Sequence, residues 1–409
     1  MKLAPIINSL LETDLYKFSM GQTIGHQFNK DTTNWAFKCR NKGVKFTPEM
    51  VQEIKEQLDH YCTLRFTKEE LVWLRNTLPW LSEDYIANLR QWQPWRDEIL
   101  VDDPSNVVDI NNDCGLTIEA RGRWVDTSMY EIPILAIVNE VYFAFKYGVG
   151  ALDADFKART RWKLGDLNDG KYEIGTFSEF GLRRRYSGAM QDWLVGLIVR
   201  SGVPGFVGTS NVYLAKKHGV KPVGTMAHEM IQGMQGHHEY NPSYSNLLVM
   251  KAWEKEFGVD NGIFLTDCIT TECFLRDFNK RFATLFSGVR HDSADPYEWG
   301  EKMIAHYRKL GIDPMTKTLL FSDSLDFKKA TEIYRHFKNK AKVAFGIGTF
   351  LSNDCGEEPL NIVFKMIESN GSPVCKLSDC AGKNMCRDKE YISYLRRCID
   401  WRLTHEKGN

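Results

Sequence analysis

The sequence lacks the apolar run of about 18 residues that a membrane-spanning helix needs. Its best apolar stretch, residues 194–199, ends at Arg200. Charge bias is also absent, because 53 basic side chains balance 53 acidic ones over 409 residues. Balanced charge gives no general attraction to nucleic acid or to an anionic membrane. Glu12, Asp14 and Lys17 interrupt the first apolar stretch, so we expect no signal peptide, no membrane and no nucleic-acid partner.

Several standard motifs are missing as well. No GxGxxG or Walker A sequence opens a helix, which excludes the common dinucleotide and P-loop sites. The ten cysteines include no CxxC pair, the usual zinc signature. We therefore interpret the four cysteines nearest the C-terminus as structural or incidental. They are Cys375, Cys380, Cys386 and Cys398. Scattered cysteines in a chain of this size are typical of reduced thiols, so we expect a cytoplasmic protein.

Two domains are expected from the texture of the chain. Residues 1–140 mix helix-like stretches with short strand-like pieces and predict a mixed α+β domain. Within residues 141–409, strand and helix patterns alternate at roughly 20–30 residues per unit, which is typical of right-handed βαβ units and a parallel sheet. We predict an α/β fold, namely an irregular, incomplete α/β barrel with an N-terminal mixed α+β domain.

The periodicity also predicts individual elements. The predicted helices are residues 48–60, 68–78, 133–147, 213–217, 243–257, 271–282, 296–310 and 326–337. The predicted strands outside the barrel are residues 35–39, 107–110, 116–120 and 361–368, with a turn at 109–112. The strand at 361–368 and the segment at 374–377 either close the barrel or return to the N-terminal domain.

Short polar clusters follow the apolar runs between residues 205 and 349. They are Gly208-Thr209-Ser210-Asn211, Gly224-Thr225-Met226-Ala227-His228-Glu229, Thr266-Asp267-Cys268, Arg290-His291-Asp292-Ser293, Ser322-Asp323-Ser324 and Gly346-Ile347-Gly348-Thr349. Polar residues at the carboxyl ends of successive parallel strands are the way in which α/β enzymes build active sites. The clusters therefore predict one site at this edge of the sheet.

His228 is the sharpest candidate for chemistry, because an imidazole can act as a base, a metal ligand or a nucleophile toward a phosphoryl group. The adjacent Glu229 carboxylate can orient the ring. Arg290 offers a planar fork for a carboxylate or a phosphate. Asp267 and Asp292 can hold Mg²⁺, directly or through water. A structural histidine bonded at a strand end is the alternative for His228.

Anion binding is predicted at two further places. Gly346 and Gly348 allow backbone N–H groups to approach an anion, and the Thr349 hydroxyl adds a donor. Residues 183–185 are three consecutive arginines after a glycine and apolar residues. We predict that one or two of these arginines face the pocket, and the alternative is a solvated surface run. Together the clusters suit a phosphorylated, metal-bound substrate.

Six motifs stand in a fixed order along the chain. They are Thr13-Asp14-Leu15-Tyr16-Lys17, Phe180-Gly181-Leu182-Arg183-Arg184, Gly208-Thr209-Ser210-Asn211, the Gly224 to Glu229 cluster, Arg290-His291-Asp292-Ser293 and Gly346-Ile347-Gly348-Thr349. In this order they resemble the nicotinate phosphoribosyltransferase family over nearly the whole chain, from about residue 8 to residue 390. One departure is Ala294, which stands where the family pattern has glycine. Either the position does not need a positive φ, or its loop is displaced.

The resemblance implies a reaction and roles for residues. Nicotinate and 5-phosphoribosyl 1-diphosphate would give nicotinate mononucleotide and diphosphate with hydrolysis of ATP, as the first step of NAD salvage from nicotinate, in an enzyme of the ligase or glycosyltransferase class. His228 would become a phosphohistidine, and Mg²⁺ would assist. A homodimer with shared active sites is implied, with Tyr16 stacking on the pyridine from the partner subunit. The site set is His228, Glu229 and Arg290 for catalysis, and Tyr16, Arg183, Gly224, Thr225, Asp292, Ser293, Gly346, Gly348 and Thr349 for substrates.

Three alternatives stay open. A nicotinamide phosphoribosyltransferase would accept the neutral amide. A quinolinate phosphoribosyltransferase would bind a dicarboxylate and would need no phosphorylated histidine, so His228 argues against it. A barrel without catalytic activity that senses phosphoribosyl ligands would bind but not turn over.

Overall fold

The computed structural model describes residues 1–102, 114–378, 386 and 388–406. The strands are β1 Thr32–Cys39, β2 Ile99–Val101, β3 Ile118–Arg123, β4 Thr176–Glu179, β5 Phe206–Thr209, β6 Lys221–Pro222, β7 Ile263–Leu265, β8 Gly288–His291, β9 Thr318–Phe321, β10 Lys342–Ile347, β11 Ile362–Ser369 and β12 Ser372–Pro373. The predicted strand at 107–110 and the turn at 109–112 lie outside the described residues.

Helices occupy most of the remaining chain. They are α1 Tyr16–Gln27, α2 Pro48–Tyr61, α3 Lys68–Thr77, α4 Glu83–Gln91, α5 Trp124–Thr127, α6 Glu131–Tyr147, α7 Asp153–Asn168, α8 Gly188–Arg200, α9 Val212–His218, α10 Glu229–Met234, α11 Ser245–Phe257, α12 Thr271–Asp277, α13 Lys280–Leu285, α14 Pro296–Lys309, α15 Phe327–Phe337, α16 Thr349–Ser352 and α17 Lys389–His405. Short 3₁₀ turns lie at Arg96–Glu98, Ser128–Tyr130, Leu182–Arg184, Pro242–Tyr244 and Pro314–Thr316. Among the described helices, none is both long and apolar enough to span a membrane.

Seven parallel strands form the larger sheet, in the order β6-β5-β4-β10-β9-β8-β7. Its central strands bury their apolar side chains, including Val289, Leu319, Phe321 and Phe345. Strands β6 and β7 are the two edges, so the sheet curls without closing. The prediction of an irregular, incomplete α/β barrel is confirmed.

A second, antiparallel sheet has the order β12-β11-β1-β3-β2. Strand β11 pairs with β1 from Thr33 opposite Ser369 to Cys39 opposite Ile362. The late strand therefore returns to the N-terminal strands and does not close the barrel. The segment 374–377 behaves differently, because Leu377 forms an isolated parallel bridge with Ile269, just after β7. The predicted boundary near residue 140 falls inside helix α6 and stays a prediction.

One stretch that was predicted as a single helix is divided into two. Residues 271–282 form two helices, α12 and α13, separated at Phe278 and Asn279. The Asn279 side chain accepts hydrogen bonds from the backbone N–H groups of Arg281 and Phe282. This is the N-cap arrangement that asparagine favours, so Asn279 begins a new helix instead of continuing the old one.

Candidate active site

The polar clusters meet in one cleft of about 740 Å³ at the carboxyl ends of the parallel strands, with one wall supplied by β11. Ten of the predicted site residues line it, namely Tyr16, Arg183, Gly224, Thr225, His228, Arg290, Asp292, Gly346, Gly348 and Thr349. Asp267 and Ser293 lie directly behind this layer, because Asp267 is hydrogen-bonded to His228 and the Ser293 hydroxyl donates to Asp267. Parallel strand ends thus bring together residues separated by more than 300 positions.

His228 precedes helix α10 and is buried. Its Nε2 lies 2.9 Å from Oδ1 of Asp267 and 3.8 Å from Oδ2 of Asp292. The other Asp267 oxygen accepts hydrogen bonds from the Ser293 hydroxyl and, at 2.8 Å, from Nζ of Lys376. Among the described residues, Nδ1 has no hydrogen-bond partner. The ring is therefore held at one nitrogen, and the other remains for chemistry.

The electrostatics favour the neutral form of His228. Burial lowers the pKa of His228, and the Lys376 ammonium acts in the same direction. Burial alone would raise the pKa of Asp267, but His228 and Lys376 hold it well below its usual range. At neutral pH the carboxylate is ionised and accepts the Nε2 proton, so Nδ1 keeps its lone pair.

Glu229 does not orient His228, which corrects the sequence-based interpretation. Its carboxylate bonds to the ammonium of Lys17, to the Ser128 hydroxyl and to the Trp124 indole N–H. Consecutive residues at the start of α10 point in different directions, and Asp267, which is 39 positions away, takes the orienting part. Glu229 and Lys17 instead join α10 to α1.

The Arg290 guanidinium is held in place on several sides. Nε donates to Ser322 at 2.8 Å, and Nη1 donates to the Thr225 hydroxyl at 3.1 Å. Nη2 lies 3.3 Å from Oδ1 of Asp292, and the Phe180 ring centroid is 5.8 Å from Cζ. The Arg290 side chain is only 12% exposed. A buried, oriented guanidinium beside a hydroxyl and an aromatic ring suits a planar aromatic acid.

Tyr16 lines the cleft of the same chain as His228, and its contribution to a partner subunit's site stays a prediction. The N-terminal segment pairs with the turn after β5, because Leu15 N–H donates to the Ser210 carbonyl and Val212 N–H donates to the Thr13 carbonyl. Gly224 permits this approach, since a Cβ there would lie 2.9 Å from the Tyr16 backbone nitrogen.

Gly346 is required for a reason that differs from the predicted approach of an anion to the backbone. A Cβ on Gly346 would lie 2.2 Å from the Phe180 ring, so this glycine makes room for Phe180. Gly348 and Thr349 line the cleft just beyond it. Their part in binding a phosphate stays a prediction.

Cations from distant parts of the chain complete the cleft. Arg183 and Arg184 line it, whereas Arg185 is buried against Glu12 and serves the core. Sequence reasoning missed three others, namely Arg40, Lys365 and Lys376. The available signal was lysine within an otherwise apolar strand, as at Lys365 between Phe364 and Met366. Burying such a side chain is costly unless a partner or ligand compensates.

The acidic side chains near His228 could bind a metal ion. His228, Asp267 and Asp292 offer ligand atoms that all lie within 4.8 Å of one another, and they are the group of this kind among the described residues. Both Asp267 oxygens already contact His228, Ser293 or Lys376, so an ion would compete with an ammonium there. Asp292 lines the cleft directly. The donor set fits a hydrated Mg²⁺ held at Asp292, with Asp267 in support.

The loop after β8 contains a strained residue, because Ala294 has φ of +72°. The position therefore does need a positive φ, and alanine there costs about 1–2 kcal/mol relative to glycine.

We predict that Ala294→Gly raises the free energy of unfolding by about 0.5–1 kcal/mol after the larger chain entropy of glycine is subtracted. The urea midpoint measures it. Ala87→Gly, on the exposed face of α4, is the control and should lower the midpoint; equal effects would contradict the strain.

Comparison with known proteins agrees with this geometry. The family model described as "Nicotinate phosphoribosyltransferase (NAPRTase) family" matches residues 176–402, and that of its N-terminal domain matches residues 11–139. A nicotinate phosphoribosyltransferase of Acidovorax sp. (strain JS42) is 42% identical over 409 aligned residues, covering 97% of this chain and 98% of the relative. One of Xylella fastidiosa (strain 9a5c) is 41% identical, covering 96% and 97%.

Solved structures agree as well. The nicotinate phosphoribosyltransferase of Vibrio cholerae superposes with a TM-score of 0.88 at 32% identity, covering 97% of this chain and 94% of that one. A putative nicotinate phosphoribosyltransferase of Saccharomyces cerevisiae gives 0.87 at 32% identity, covering 99% and 100%. With full-length sequence similarity, the same fold and the six motifs gathered in one cleft, this chain belongs to the nicotinate phosphoribosyltransferase family.

Proposed function

We propose that this protein transfers the phosphoribosyl group of 5-phosphoribosyl 1-diphosphate to nicotinate, giving nicotinate mononucleotide and diphosphate. The observation that carries the proposal is the shared cleft of Arg290, His228 and a cationic wall. A buried guanidinium, suited to a carboxylate, shares the cleft with an oriented imidazole, and the wall would supply charge for phosphates. Few other reactions need all three groups in one place.

Arg290 favours the acid over the amide. A nicotinate carboxylate would pair with the charge of the Arg290 guanidinium, which Ser322, Thr225 and Asp292 hold in place, with the Thr225 hydroxyl as a further donor. Nicotinamide offers one acceptor and brings its own donors, so part of the buried cation would lose its partner. Leaving a buried charge poorly paired costs several kcal/mol, which is about 10²-fold or more in affinity.

ATP is proposed as the co-substrate that phosphorylates His228. Nδ1 would attack the γ-phosphorus, the bond to the ADP oxygen would break, and Asp267 would hold the charge that develops on the ring. The phosphate adds negative charge and acceptors to the cleft. The phosphate on His228 can accelerate phosphoribosyl transfer only if it favours the substrate-bound state of the enzyme. Hydrolysis of this phosphate after turnover would then return the enzyme to its starting state. This step would make the enzyme an ATP-dependent ligase.

Mg²⁺ is proposed at Asp292, where it would stabilise negative charge on the leaving diphosphate. The protein supplies the remaining charge. Arg40, Arg183, Arg184 and Lys365 line the same cleft and form its cationic wall. Thr349 and the glycine loop are proposed to hold the ribose 5-phosphate.

The assembly of the protein and its cellular setting are also proposed. A homodimer is proposed from the family resemblance, although one chain already supplies Tyr16 and His228 to one cleft. Gel filtration with light scattering tests it. A cytoplasmic setting is proposed because the described cysteines are reduced thiols.

The test of substrate identity compares three acceptors. Purified protein, 5-phosphoribosyl 1-diphosphate, Mg²⁺ and ATP are incubated with nicotinate, nicotinamide or quinolinate, and the mononucleotides are separated by chromatography. We expect product from nicotinate. Product from nicotinamide or quinolinate alone would keep the family and overturn the substrate. Ligand binding without product from any acceptor would favour a sensor.

The cleft cation Lys365 predicts a pH effect on anion affinity. Burial lowers its pKa to about 8, with Glu131 opposing the shift and Arg183 and Lys376 reinforcing it. Its positive charge is therefore present below about pH 8 and is lost as the pH rises further. We expect the affinity for inorganic diphosphate to fall by about tenfold between pH 7 and pH 9, which calorimetry measures.

Lys365→Arg is the matched control, because a guanidinium keeps its charge over this range. It should flatten the profile and leave only the titration of the ligand. An unchanged pH dependence in Lys365→Arg would contradict the assignment to Lys365.

A further inference from the structure

Two cysteine thiols meet beside the cleft. Cys39 is the last residue of β1, and Cys114 precedes β3, its antiparallel partner. The ladder runs from Thr32 opposite Arg123 to Ala36 opposite Glu119, and its direction carries Cys39 toward the segment that contains Cys114. The two sulfurs are hydrogen-bond partners, and neither is in a disulfide.

The surroundings favour oxidation at Cys39. Its side chain is half-buried, so a small oxidant can reach it, whereas Cys114 is buried. Hydrogen bonding with Cys114 lowers the pKa of Cys39, which favours its thiolate form. Thiolate character and access together mark the cysteines that react with peroxides. The buried Cys114 is placed as the resolving thiol.

Cys39 is connected directly to the cleft. The next residue, Arg40, lines the cationic wall. The Cys39 thiol lies 3.9 Å from Oδ1 of Asn41, and the same oxygen accepts the backbone N–H of Asn361 at 2.5 Å. Asn361 and Pro359 also line the cleft, and the Asn41 amide donates to the Pro359 carbonyl at 3.5 Å. A displacement of Cys39 would therefore move Arg40 and, through Asn41, the segment that contains Pro359 and Asn361.

We propose that Cys39 and Cys114 form a reversible disulfide that senses hydrogen peroxide and weakens anion binding in the cleft. The Cys39 thiolate attacks one peroxide oxygen, the O–O bond breaks, and hydroxide leaves and is protonated to water. The sulfenic acid formed at Cys39 is attacked by the Cys114 sulfur, and a second water leaves. Two thiols are oxidised to one disulfide as one peroxide is reduced to two waters, and a dithiol reductant reverses the step.

The disulfide would move residues of the cationic wall, because an S–S bond is shorter than a hydrogen bond between two thiols. An S–S bond of about 2.05 Å requires the two sulfurs to approach from hydrogen-bonding distance. That movement draws Cys39 away from Asn41 and shifts Arg40 with it. The disulfide itself is independent of the reaction catalysed, while its effect on anion binding rests on the proposed function.

Mapping of the cross-link tests the first part. The full-length protein is treated with hydrogen peroxide under native conditions, blocked with iodoacetamide and digested without reduction for mass spectrometry. We expect a peptide pair that joins Cys39 to Cys114, loss of two titratable thiols, and recovery with dithiothreitol. Cys39→Ser and Cys114→Ser should lose the linked pair, and Cys62→Ser should keep it.

The molecule provides an internal competitor. Cys375 and Cys386 are also hydrogen-bonded to each other, but Cys375 is fully buried. Peroxide that joins Cys375 to Cys386 first, or that overoxidises Cys39 without a cross-link, would overturn the proposal.

Binding of inorganic diphosphate tests the second part. Calorimetry on reduced and fully cross-linked protein should show about tenfold weaker affinity after oxidation, restored by dithiothreitol. Equal affinity in the two forms would overturn the effect on the cleft. The two failures are separable, because a cross-link in a protein that makes no nicotinate mononucleotide would sink the proposed function alone, and product without any cross-link would sink this inference alone.

Discussion

Replacing Asp267 with asparagine is expected to lower the ATP-stimulated rate of mononucleotide formation by about 10³-fold. The carboxylate accepts the Nε2 proton of His228 and thereby leaves the lone pair on Nδ1. An asparagine amide can donate to Nε2 instead, which favours the other tautomer and places the proton on Nδ1. The nucleophile would then be blocked without a change in shape. Steady-state rates with saturating ATP measure the loss.

Asp295→Asn is the matched control on a neighbouring segment. Asp295 caps helix α14 by accepting from the backbone N–H groups of Tyr297 and Glu298, and asparagine caps helices equally well. This variant should retain activity within about twofold, and circular dichroism should show both proteins folded. Full activity in Asp267→Asn would remove Asp267 from the account, and equal losses in both variants would indicate a general effect on folding.

Replacing Arg290 with methionine is expected to lower kcat/KM for nicotinate by about 10²–10³-fold, which corresponds to roughly 3–4 kcal/mol. The guanidinium is largely buried and oriented by Ser322 and Thr225, so methionine removes a cation that is held in position. Because nicotinamide does not use the full fork, its kcat/KM should fall less. Competition between the two substrates therefore measures the part played by the carboxylate.

Two further variants sharpen this result. Arg290→Lys keeps the charge and loses the bidentate geometry, so we expect an intermediate loss. Arg281→Met removes an exposed guanidinium that pairs with Glu254 at the surface, and it should leave the substrate ratio unchanged. Equal losses for nicotinate and nicotinamide in Arg290→Met would show that Arg290 does not bind the carboxylate.

The sequence was sufficient to predict the sheet and the strand-end clusters. Apolar runs such as residues 318–321 end in polar residues, and parallel strands bring those ends together whatever their separation along the chain. Helix starts were also predictable where the cap is local, as at Asp295 and Asp326. Both kinds of signal depend on a few consecutive residues.

Local sequence patterns could not predict which buried polar side chains are hydrogen-bonded to one another. Glu229 is adjacent to His228 in sequence, yet it pairs with Lys17, and the orienting carboxylate comes from Asp267 on another strand end. Lys376 completes the set from a segment after the antiparallel sheet. Such pairings depend on side-chain direction and on which strands are neighbours, and neither is encoded within a short motif.

The course of the N-terminal segment was likewise beyond the sequence. Backbone hydrogen bonds between residues 11–15 and 210–213 bring Tyr16 into the cleft of its own chain. The glycine at 346 was correctly placed at the cleft but explained by the wrong contact, since Phe180 fills the space that a side chain would need. Both facts depend on tertiary contacts that link distant segments.

The most direct measurement is the fate of a labelled phosphate on His228. Protein is incubated with ATP labelled at the γ-phosphate, freed of nucleotide, and then mixed with nicotinate and 5-phosphoribosyl 1-diphosphate. We expect an acid-labile label that is absent from His228→Ala, and that is discharged as nicotinate mononucleotide forms. Formation of nicotinate mononucleotide at the same rate with and without ATP, on a protein that never takes up label, would contradict the phosphohistidine and the part assigned to the Asp267–His228 pair.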